Sequence, residues 1–66
     1  MMKFIIKKDG TVVDASGKEV FKTSNTVESQ QIAREAIHET IEENGFEIDE
    51  EWEMDDDSIE LTVKHK

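Results

Sequence analysis

The residues of this chain that could do chemistry are mostly carboxylates, and their spacing is regular. Glu47, Asp49, Glu51 and Glu53 recur at every second position, Asp55, Asp56 and Asp57 follow as a run, and Glu60 lies just beyond. A second set, Glu28, Glu35, Glu39 and Glu42, recurs at intervals of three, four and seven. Such arrays can exchange protons, hold a hard cation or meet a basic surface.

Proton exchange is the weakest of the three. A catalytic carboxyl group needs a water-poor pocket to displace its pKa, whereas carboxylates on an open face keep ordinary values. His38 and His65 fall in different elements, with no third group beside them in sequence. The serines and threonines sit at turns and caps, where local hydrogen bonds occupy them. Gly10, Gly17 and Gly45 each belong to a turn or a helix end, and no phosphate-binding loop surrounds them. The expectation is a protein that is not an enzyme, with no catalytic residues and no cofactor.

Cation binding fares little better. Asp55–Asp57 with Glu53 and Glu60 makes an oxygen-rich cluster of the kind Ca²⁺ accepts. The order does not fit a calcium-binding helix–loop–helix, which needs a glycine at the sixth loop position and a bidentate glutamate at the twelfth. No Cys is present, so thiolate ligation and disulfide staples are both excluded. The cluster reads as the solvated tip of a hairpin, and no metal site is expected.

Recognition of a basic surface draws on the charge distribution. Seventeen acids oppose eight Lys and Arg, for a net charge of −9 in 66 residues. Residues 1–24 carry five lysines against Asp9, Asp14 and Glu19, whereas residues 25–63 carry fourteen acids against Arg34 alone. A small domain stays soluble with a net charge of roughly 2 to 8 and mixed signs. Segregated charge of this size repels nucleic acid and attracts a basic partner.

These residues must be positioned by one domain, since the chain is too short for more. Lys3–Lys7 is a β-favouring run, Asp9-Gly10 is a hairpin signal, and Thr11–Ala15 returns, giving strands over about 3–8 and 11–15. Ser16-Gly17-Lys18 is a second turn, and residues 19–22 read either as a third strand or as an irregular lead into the next element. A helix follows over about 26–44, with Asn25 as N-cap, Glu28 completing a capping box, and Asn44-Gly45 as the stop. Ala33, Ala36, Ile37, Thr40 and Ile41 share its apolar face, with Val27 and Ile32 at the margins, while Glu28, Glu35, Glu39 and Glu42 lie opposite.

Alternation is cleanest in the last third, which predicts strands over 46–54 and 58–65. Phe46, Ile48, Trp52 and Met54 fall on one face and Glu47, Asp49, Glu51 and Glu53 on the other, with Glu50 as the odd residue in the apolar row. Ile59, Leu61 and Val63 then face the core. This pattern sets Met54 opposite Ile59, Trp52 opposite Leu61, and Glu53 beside Glu60, and it makes Trp52 a core residue.

The fold expected is therefore α+β, ββ(β)αββ, with an antiparallel sheet of four or five strands and one amphipathic helix on one face. The absence of any long apolar run leads to the expectation of a cytoplasmic protein with neither signal peptide nor membrane span. The leading functional expectation is an acidic interaction protein that docks on a basic partner, such as a nucleic-acid-binding protein. Its contacts would be Glu47, Asp49, Glu51, Glu53, Asp55–Asp57 and Glu60, joined by the helix stripe. By analogy with small inhibitors of nucleic-acid enzymes, including phage-type ones, the array could mimic DNA. The alternative is an accessory subunit or homodimer joined by a sheet edge or an apolar patch, with the acids serving solubility.

Overall fold

The computed structural model describes residues 2–23 and 28–66, which form one α+β domain. Its elements are β1 (Met2–Ile6), β2 (Thr11–Asp14), β3 (Glu19–Lys22), α1 (Ser29–Glu43), β4 (Phe46–Glu53) and β5 (Ile59–His65). All five strands join one antiparallel sheet in the order β3-β2-β1-β5-β4. Residues 19–22 are thus a true strand, and the first and last strands meet at the sheet centre.

One turn design closes all three hairpins. Gly10 donates to the Lys7 carbonyl, Gly17 to the Asp14 carbonyl and Asp57 to the Met54 carbonyl, at 2.9, 3.0 and 3.1 Å. In each case the donor has positive φ, which lets a three-residue loop match the twist of the strands. Gly10 fills the position because a Cβ there would also collide with Thr23 and Ser29. Asp57 manages it as a non-glycine residue at φ 69°, a conformation that aspartate tolerates better than most. Asp9, Asp14 and Asp56 each accept a backbone N–H two residues on, so three of the acids serve turn formation.

The helix covers one face of the sheet. Ala33, Ile37 and Ile41 recur every four residues and are buried against Ile6, Val12, Ile59, Leu61 and Val63. Phe4, Phe21, Phe46 and Ile48 close the margins of this cluster. At the start of α1, the Gln30 side-chain amide donates to the carbonyls of Ile6 and Asp57 at 3.2 and 2.7 Å, tying the helix to two hairpins. The helix ends as its sequence requires, with Gly45 at φ 82° donating to the Glu42 carbonyl.

Its beginning departs from the sequence reading. Glu28 lies in the left-handed region immediately before the first helical residue and makes no side-chain cap, so it is not the third residue of a capping box. The expected cap Asn25, with Val27 and the proposed start at residue 26, lies outside the described residues.

The larger correction is in β4. Ile48 pairs with Val63 but Glu50 pairs with Thr62, leaving Asp49 as the extra residue of a β-bulge. The bulge puts Asp49 and Glu50 on the same face and reverses the alternation beyond them. Glu51 and Glu53 now oppose Leu61 and Ile59 on the helix side, whereas Trp52 opposes Glu60 on the open side. Trp52 and Met54 are each 39% exposed, so neither belongs to the core. The slot opposite Leu61 lies beneath polar groups of α1, which suit a carboxylate better than an indole. A second bulge, at Val20 in β3, pairs Val12 with Phe21 and Val13 with Glu19.

Candidate functional site

The acidic row expected along β4 is not one surface. Glu47 and Asp49 remain on the open face, where the Lys64 ammonium lies 3.8 and 3.4 Å from them. Glu60 joins that face as expected, but it is only 7% exposed, held by Lys3 at 2.7 Å. Glu51 and Glu53 are turned to the opposite side. Asp55 is exposed, Asp56 is occupied by Ser58, and Asp57 lies 3.6 Å from Lys8.

Glu51 forms the most organised polar cluster. One carboxylate oxygen accepts hydrogen bonds from Arg34 Nε at 2.9 Å and His38 Nε2 at 3.0 Å. Burial acts to raise the Glu51 pKa, but the hydrogen bonds from Arg34 and His38 outweigh it and hold the group below its ordinary value. The same contact raises the pKa of Arg34 despite partial burial. Such a carboxylate stays ionised at neutral pH and makes a poor general acid. Its role is to latch α1 to the edge strand.

Neither Arg34 nor His38 stood out as a partner in the sequence. Their spacing of four places them on the flank of the apolar stripe of α1, and Glu50 within the apolar row marked the slip in alternation that brings Glu51 beneath them. His65, by contrast, stacks on Phe46 with ring centroids 4.5 Å apart.

Of the expected helix stripe, Glu35, Glu39 and Glu42 lie on α1, whereas Glu28 precedes it in a left-handed conformation. Glu28, Glu35, Glu39 and Glu42 are all exposed. Glu35 accepts from the Gln31 amide at 3.2 Å and Glu42 pairs with Lys66. Glu39 and the neighbouring Glu43 have no ionic partner among the described residues. The first turn of α1 contains no acid and the last turn no base, while Glu42 and Glu43 occupy that last turn. This placement opposes the helix macrodipole, whose negative end is the C-terminus.

No protein-family model, curated protein or solved structure matches the chain. Its own residues carry the functional reading. Among the described residues no group of three or more His, Asp and Glu side chains is placed to share a metal ion. Every buried side-chain polar atom among them has a hydrogen-bond partner. Among the described residues no helix is long and apolar enough to cross a membrane.

Proposed function

We propose that this protein is a non-enzymatic interaction protein whose acidic helix docks on a basic partner surface. The observation that supports this reading is the placement of the helix acids. Glu42 and Glu43 stand in the last turn of α1, where an exposed acid costs about 0.3–1 kcal/mol, and Glu39, four residues before Glu43, adds like-charge repulsion. Solubility requires carboxylates somewhere, but not there. A surface that opposes its own helix dipole is accounted for by a partner that supplies the positive charge which Lys66 brings to Glu42 alone.

The docking surface is accordingly redrawn. Glu35, Glu39 and Glu42 form its centre, Glu28 and Glu43 its ends, and Glu53 extends it onto β4. Glu51 and Glu60 leave it, because each is largely buried against an intramolecular cation, whereas Glu42, although paired with Lys66, stays half-exposed. Along the axis the three central carboxylates are about 6 and 4.5 Å apart, between the roughly 3.4 Å rise per phosphate of one DNA strand and twice that value. A nucleic-acid-binding protein in the cytoplasm is the partner class that fits, with the helix standing in for coarse phosphate charge.

The test compares the wild type with a variant carrying Glu35→Lys, Glu39→Lys and Glu42→Lys as baits in a lysate at low salt. The expected result is a nucleic-acid-binding protein retained by the wild type alone and released by moderate salt or by duplex DNA. The variant should melt no lower than the wild type, because lysines suit a helix C-terminus. Equal retention of the same partner by the folded variant would overturn the proposal.

A further inference from the structure

Asn44 and Gly45 join α1 to β4, and in that order they form a reactive pair. A backbone nitrogen that follows an asparagine can attack the side-chain carbonyl carbon of that asparagine, and a glycine leaves the nitrogen unhindered. Both residues are exposed. Among the described residues, no group beyond the chain neighbours lies within 4 Å of where a Gly45 Cβ would stand. Asn25, the other asparagine of the chain, precedes Thr26, whose branched side chain crowds the same attack.

The helix end holds this pair in an unreactive form. Asn44 Nδ2 donates to the Thr40 carbonyl at 2.7 Å, and the Gly45 N–H donates to the Glu42 carbonyl at 3.1 Å. Asn44 has ψ 10°, so the Gly45 nitrogen nearly eclipses the nitrogen of Asn44 itself. Closing a five-membered ring requires it to eclipse Cβ instead. The rotation about the Asn44 Cα–C bond that achieves this draws Gly45 off Glu42 and pulls on Phe46, which is paired with His65. Attack is therefore blocked while the α1–β4 junction is closed.

We propose that Asn44 is a spontaneous modification site, converted to aspartate and isoaspartate when the α1–β4 junction opens. In the open state hydroxide takes the Gly45 amide proton, and the nitrogen attacks Asn44 Cγ. The Cγ–Nδ2 bond breaks, Nδ2 leaves as ammonia, and a five-membered imide remains. Water then adds to one of the two imide carbonyls and the ring reopens. Cleavage at Cγ gives aspartate. Cleavage at the main-chain carbonyl gives isoaspartate, which routes the backbone through Cβ and Cγ. The net change exchanges an amide and water for a carboxylate and ammonium.

Neither product fits the junction. The new carboxylate joins Glu42 and Glu43 at the negative end of α1, and once ionised it cannot donate to the Thr40 carbonyl. Isoaspartate also lengthens the backbone immediately ahead of β4. Each conversion thus loosens the junction that had protected Asn44, and refolding does not reverse it. The inference concerns the chemistry of the chain itself and stands whether or not the helix meets a basic partner.

The test follows conversion at mildly alkaline pH by mass spectrometry of proteolytic peptides, in the folded protein and in the same chain held in urea. The ends of elements open at lower cost than the whole domain, so the folded protein should convert about ten- to a thousandfold more slowly than the denatured chain. Glu43→Lys, which suits a helix C-terminus, should lower the folded-to-denatured rate ratio a further two- to fivefold or about that. Asn44→Asp, one of the two products, should melt below the wild type. Equal rates in the folded and denatured chains overturn the proposal, as does a folded protein whose Asn44 outlasts the thousandfold bound. A denatured chain that converts first at Asn25 overturns it as well. So does an unchanged ratio in folded Glu43→Lys, or an Asn44→Asp protein as stable as the wild type.

Discussion

The two faces of this sheet are built from the same strands but obey different rules. On the helix side, Ile6, Val12, Leu61 and Val63 are nearly inaccessible and their neighbours are apolar. On the open side, buried residues such as Glu60 owe their burial to long charged neighbours, and the large apolar groups Trp52 and Met54 remain partly exposed. Most of the fully buried apolar side chains lie on the first face.

The strongest way to break this comparison is to truncate one residue on each side. Leu61→Ala removes a fully buried side chain and should cost about 2–5 kcal/mol, a large share of the stability of so small a domain. Trp52→Thr should cost about 1 kcal/mol or less, the worth of a cross-strand pair. Denaturant melts of both variants check this, and equal losses would erase the distinction between the faces.

A smaller effect is expected at the α1–β4 latch. Glu51→Gln should destabilise the protein by about 1 kcal/mol at neutral pH, between the values for exposed and for charged hydrogen-bonded pairs. Because the folded-state pKa of Glu51 lies below its ordinary value of 4.5, its contribution is present above that value. It is lost as the pH falls through the depressed one. Melts from neutral to strongly acid pH should therefore show the wild type and variant converging on the acid side. A constant gap at every pH would mean that the Glu51 charge contributes nothing.

The smallest effect is expected from deleting Asp49. A deletion within a regular strand turns every later side chain to the other face. Here the deleted residue is the supernumerary one, so Glu50–Thr62 and the pairs beyond it keep their register. The cost should be about 1 kcal/mol or less, mainly the Lys64 contact, with Trp52 emission unchanged. A marked blue shift would show that the deletion had turned Trp52 inward.

These contrasts also explain what could be read from the chain alone. The turns at Asp9-Gly10 and Ser16-Gly17 and the stop at Asn44-Gly45 are local signals, because a glycine at positive φ depends on few distant contacts. The helix face of Ala33, Ile37 and Ile41 was legible for the same reason: its period survives any choice of partner. The bulge at Asp49 was not, since it depends on what α1 offers to the slot opposite Leu61, namely Arg34 and His38. One residue of slippage moved Trp52 out of the expected core and Glu51 out of the expected docking row. Glu35, Glu39 and Glu42, whose direction is fixed by helix geometry, lie together on α1, while Glu28 falls just outside it.

The central pairing of β1 with β5 has a consequence for the chain during synthesis. Ile5 and Glu60 are sheet neighbours but 55 positions apart, an interval of roughly 3 to 11 s at ordinary translation rates. The three-stranded meander of β1, β2 and β3 leaves the ribosome first, with the long edge of β1 unpaired until β5 arrives. An unpaired strand invites pairing with other chains, and Lys3 and Lys7 flank Phe4, Ile5 and Ile6 as charges that discourage it. The lysines at the two ends of the first strand thus guard the nascent chain before Glu60 appears and pairs with Lys3, which stays half-exposed.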